Sequence, residues 1–60
     1  MSTIYDPEAD IMAEIERLEL EARDIRRRID NAKSEIDRRV LNKQLGETEE
    51  QVELLKAKLP

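Results

Sequence analysis

The stretch Ile11–Ile36, IMAEIERLELEARDIRRRIDNAKSEI, places apolar residues at Ile11, Ile15, Leu18, Ala22, Ile25, Ile29, Ala32 and Ile36. The steps alternate between four and three residues without a slip. Such a repeat keeps one narrow stripe of a helix turned toward a neighbour, so the stretch reads as a helix that buries a seam against another helix. The positions between are mostly Glu and Arg, strong helix formers that suit the solvated face. What the rest of the chain must supply is a cover for that seam.

Beyond Ile36 the repeat loses phase. Its next position is Arg39, while a new heptad stripe runs through Leu41, Leu45, Thr48, Val52, Leu55 and Leu59, two residues out of step. At about 100° per residue, that offset turns the new stripe to nearly the opposite face of a straight helix. A break between the stripes lets them face each other instead. Asp30-Asn31-Ala32-Lys33-Ser34 reads as such a break. Asn31 tolerates a left-handed conformation, Ser34 is a good N-cap, and Asp37 stands where a capping box would have Glu. Arg26, Arg27 and Arg28 would oppose the negative end of the preceding helix. Leu45-Gly46, followed by Thr48-Glu49-Glu50-Gln51, reads as a second stop and restart.

A turn at 31–34 divides the chain into arms of similar length, and the second stripe keeps its phase through Gly46. The expected fold is therefore all-α: an antiparallel, coiled-coil-like helical hairpin over residues 6–60, with helix 7–30, turn 31–34 and helix 35–59. Gly46 is then a weak point within a helix, or a place where two backbones approach closely. One long coiled-coil helix and a break at Gly46 are the alternatives. Asp6-Pro7-Glu8 is the helix start: Asp6 caps the first N–H groups, Pro7 suits the first helical position, and Glu8 and Asp10 face the positive dipole end. Residues 1–5 have no periodicity and are expected as a flexible tail.

Both helices carry apolar residues beside their seams. Val40, Leu54, Ile36 and Ala57 widen the stripe of the second, and Met12 and Leu20 lie off that of the first. Two helices cannot enclose such flanks, whereas two hairpins packed as a four-helix bundle can. The chain is thus expected to associate with itself, as a homodimer or a higher oligomer, with Ile11, Ile15, Leu18, Ala22, Ile25, Ile29, Leu41, Leu45, Val52, Leu55 and Leu59 in the oligomer core. Charge favours an antiparallel pair. Residues 1–24 carry net −6, residues 25–45 net +4 and residues 46–60 net −2, so each basic turn end would lie beside an acidic end of the partner.

Charged residues make up 43% of the sixty, and His, Cys, Trp and Phe are absent. That composition removes the usual catalytic bases, thiol nucleophiles, disulfides and His or Cys metal sites. The chain is expected to be no enzyme and to need no cofactor or metal. The Glu14/Glu16/Glu19/Glu21 and Glu47/Glu49/Glu50/Glu53 groups read as solvated helix faces rather than cation sites. No apolar run approaches a membrane span and the N-terminus does not read as a signal peptide, so a soluble cytoplasmic protein is expected, with no membrane partner.

The sharpest candidate for contact with a ligand is the basic set Arg26, Arg27, Arg28, Lys33, Arg38 and Arg39, whose guanidinium forks suit phosphate or an acidic protein. Interspersed acids, the lack of aromatics for base stacking and the net charge of −4 weigh against nucleic acid. Arg28 and Arg39 are expected to pair with Asp24 and Glu35, and Glu19–Arg23 to form an i,i+4 pair. The expected function is a small homo-oligomeric interaction or regulatory module working through helix faces. The alternatives are a nucleic-acid-binding regulator using the basic mid-chain and a coiled-coil structural spacer.

Overall fold

The computed structural model describes residues 6–60, and the expected tail at 1–5 lies outside them. Two helices, α1 (Pro7–Asn31) and α2 (Glu35–Lys56), pack against each other as a hairpin. The single long helix and the break at Gly46 do not occur.

Local chemistry sets the start of each helix. The Asp6 carboxylate accepts the N–H groups of Glu8 at 3.0 Å and Ala9 at 3.3 Å, and Pro7 occupies the first position, where no N–H is needed. Ser34 begins α2 with its backbone extended (φ −121°, ψ 150°) and its hydroxyl accepting the Asp37 N–H at 3.0 Å. The turn is built differently from expectation. Asn31 closes α1 as a helical residue, and no described residue has a positive φ. Extended Ala32 (φ −68°, ψ 132°) and extended Ser34 reverse the chain, so a left-handed residue is not required. Arg38 steadies this corner by donating from Nη2 to the Ala32 carbonyl at 3.4 Å.

At the far end α2 stops at Lys56 rather than 59. Lys58 and Leu59 donate to carbonyls three residues back, a tightened last turn. Pro60 disfavours a helical conformation at the residue before it, which is Leu59. Gly46 lies within α2, and a Cβ built there would meet nothing within 4 Å. It is the weak point rather than the close approach.

The two stripes face each other. Ile15, Ala22, Ile25, Thr48 and Val52 are buried, and Ile11, Leu18, Ile29, Leu41, Leu45, Leu55 and Leu59 are half-buried. All the residues expected at the core are thus at least partly covered within one chain, ten of them on α1 or α2 and Leu59 just past the end of α2. Ile36 is not, although it is in phase with the first seam: it is 74% exposed. The turn at 32–34 ends α1 before that position and starts a helix with a new phase. No side chain is completely enclosed among the described residues, as expected of a core with only two walls.

Candidate functional site

Three consecutive helical residues are separated by about 100° each, so Arg26, Arg27 and Arg28 fan across some 200° of the α1 surface. Arg26, one turn after Ala22, borders one edge of the seam, and Arg28, one turn after Ile25, borders the other. The fold therefore does not gather the basic set into one patch. Arg26 donates across the hairpin to Glu49 at 2.8 Å, Arg28 pairs with Asp24 at 3.0 Å, and Arg38 lies 4.0 Å from Glu35 besides holding the turn. Arg27, Lys33 and Arg39 have no ion pair among the described residues.

Two of the expected pairs are replaced. Glu35 meets Arg38 and not Arg39. Glu19 turns away from Arg23 to Lys56 of α2 at 3.7 Å, and Lys56 also lies 3.8 Å from Glu53. Glu19–Lys56 and Arg26–Glu49 are related by seven residues forward on α1 and seven back on α2, one heptad in opposite directions, which defines the antiparallel register along this edge. The sequence carries this signal as opposite charges flanking two facing seams, but it becomes readable only once the register is known.

Between those pairs runs a shallow groove lined by Glu19, Ala22, Arg23, Arg26, Glu49, Val52, Glu53 and Lys56. Ala22 is the small member of the buried α1 seam, and its short side chain leaves the space. Three acids and three bases line the groove, so their formal charges sum to zero, with Arg26 held by Glu49 and Lys56 by Glu19 and Glu53. A second depression near the turn is lined by Arg28, Asn31, Ala32, Lys33, Asp37, Val40 and Leu41. Elsewhere the Glu14 carboxylate accepts a hydrogen bond from Arg17, and that bond together with the Glu14 charge holds the guanidinium above its ordinary pKa. Among the described residues no three carboxylates converge as a metal ion would require, and no helix is long and apolar enough to cross a membrane.

The feature that stands out is apolar. Met12 (54% exposed), Leu20 (61%), Ile36 (74%), Val40 (51%) and Leu54 (54%) are all large side chains turned to solvent. Met12 and Leu20 stand apart on α1. Ile36, Val40 and Leu54 share the outer flank of α2, as the sequence pattern anticipated. No family model, curated protein or solved structure matches the chain.

Proposed function

We propose that the hairpin is a non-enzymatic interaction module that associates with copies of itself, in its simplest form as a four-helix bundle dimer of coiled-coil character. The observation that carries this reading is the combination, among the described residues, of a two-walled core in which nothing is completely enclosed with five large apolar side chains more than half exposed. A second hairpin adds the missing wall and removes apolar surface from water at about 25 cal/mol per Å². Sedimentation equilibrium tests it: the expected mass is twice the 7.1 kDa of one chain, with a thermal midpoint that rises with protein concentration. A monomer mass up to high micromolar concentration, with a constant midpoint, would sink the proposal.

The nucleic-acid reading draws support from Arg27, Lys33 and Arg39, exposed and without an ion pair among the described residues. It is the weaker reading because Arg26, Arg28 and Arg38 are already partnered. Its mark would be binding to RNA or DNA that falls steeply with salt and vanishes in an Arg26/Arg27/Arg28→Ala variant. The spacer reading rests on a continuous rod and draws no support from a hairpin.

A further inference from the structure

We infer that two copies meet through the flank of α2 that carries Val40 and Leu54, with the two α2 helices antiparallel. The inference rests on the self-association just proposed and names the surface and the register.

The residues at 40, 44, 47, 51 and 54 recur at steps of four and three and are Val, Gln, Glu, Gln and Leu. Only Glu47 in this stripe is charged, in a chain whose helix surfaces are otherwise densely charged. The corresponding flank of α1, through Arg17, Glu21, Asp24 and Arg28, is charged throughout. The stripe lies well away from the Leu41–Leu45–Thr48–Val52 seam, roughly a quarter to a third of a turn around α2. That is the direction in which a helix of a four-helix bundle meets its second neighbour. Val40 and Leu54 are each about half exposed, so their uncovered halves are available to a partner.

Two arguments make the occupant a second copy. The stripe is nearly symmetric about Glu47, with Val40 and Gln44 on one side and Gln51 and Leu54 on the other. An antiparallel copy lays the Val40–Gln44 turn over Gln51 and Leu54 of the partner subunit, and the same contact repeats across the two-fold axis. The charges bordering the stripe match as well. Lys43 comes beside Glu50 of the partner subunit, and Glu50 beside the partner's Lys43. Over the whole hairpin the basic residues 25–45 are drawn to the acidic ends of the other copy. A parallel copy turns the flank that carries Lys43 and Glu50 toward the opposite flank of the partner helix, and neither opposite-charge contact forms.

The test mixes charge variants and reads the dimer dissociation constant by sedimentation, with circular dichroism confirming that each variant stays helical. Lys43→Glu and Glu50→Lys, each alone, place like charges across the two-fold axis and are expected to weaken the dimer about tenfold. An equimolar mixture restores both opposite-charge contacts in a heterodimer and recovers affinity near that of the parent chain. Leu54→Gln, at a site half exposed within one chain, is expected to weaken the dimer by more than tenfold while helicity is kept. Glu47→Gln removes two like charges near the axis and is expected to tighten it severalfold. If the parent chain is a dimer but neither Leu54→Gln nor the charge variants alter it, this surface is wrong while self-association stands. If the single charge variants weaken the dimer and their mixture does not recover, the antiparallel register is wrong. A monomeric parent chain overturns both the inference and the reading beneath it.

Discussion

Arg26 Nη2 reaches Glu49 Oε2 at 2.8 Å, joining residues 23 apart in sequence across the two helices. Among the described residues this is one of two ion pairs that join α1 to α2, and both of its side chains remain about half exposed. Solvent and salt therefore screen it, and its contribution is expected at about 0.2–1 kcal/mol. A double-mutant cycle with Arg26→Ala and Glu49→Ala, followed by urea unfolding at two salt concentrations, measures it. A coupling energy above 2 kcal/mol would mean that the pair is more desolvated than its exposure indicates.

Gly46 offers a stabilising change. It sits inside α2 with no atom near the place a Cβ would occupy. Gly46→Ala relieves the helix-interior cost of glycine and is expected to add up to about 1 kcal/mol. A higher urea midpoint at unchanged slope would show it. Destabilisation would mean that a partner backbone approaches at this point.

Two isoleucines of one heptad phase are expected to behave differently. Ile25 is 5% exposed and Ile36 is 74% exposed. Ile25→Ala removes buried methyl and methylene groups and is expected to cost about 2–5 kcal/mol, enough to unfold so small a hairpin. Ile36→Ala is expected within about 0.5 kcal/mol of zero. Equal losses would place Ile36 in a core, as a helix continuous through residues 32–34 would.

Ser34 carries the restart of α2 through a single hydroxyl bond to the Asp37 N–H. Ser34→Ala leaves that group to water and is expected to cost about 0.5–2 kcal/mol, whereas Ser34→Asp keeps an acceptor and costs little. Amide hydrogen exchange at the first turn of α2 gives a local readout. Unaltered protection of Asp37 in Ser34→Ala would show that the cap contributes nothing.

What the sequence determined by itself was everything set by near neighbours along the chain. Asp6-Pro7 and Ser34 start helices because their chemistry acts within three residues. The paired heptad stripes identify Ile15, Ala22, Ile25 and Val52 as inward because helical periodicity is a local property. The turn lay within reach for the same reason, though not its conformation: Asn31 stayed helical and Ala32 and Ser34 became extended. Only the tertiary structure decided which in-phase residue drops out of the seam, so that Ile36 faces solvent while Thr48 is buried. It also decided that Glu19 meets Lys56 rather than Arg23, and that the six basic residues are dispersed rather than gathered. The reason is that charge pairing depends on distances through space. Those distances are set by how two helices, distant in sequence, dock side by side, and no spacing along one chain records them.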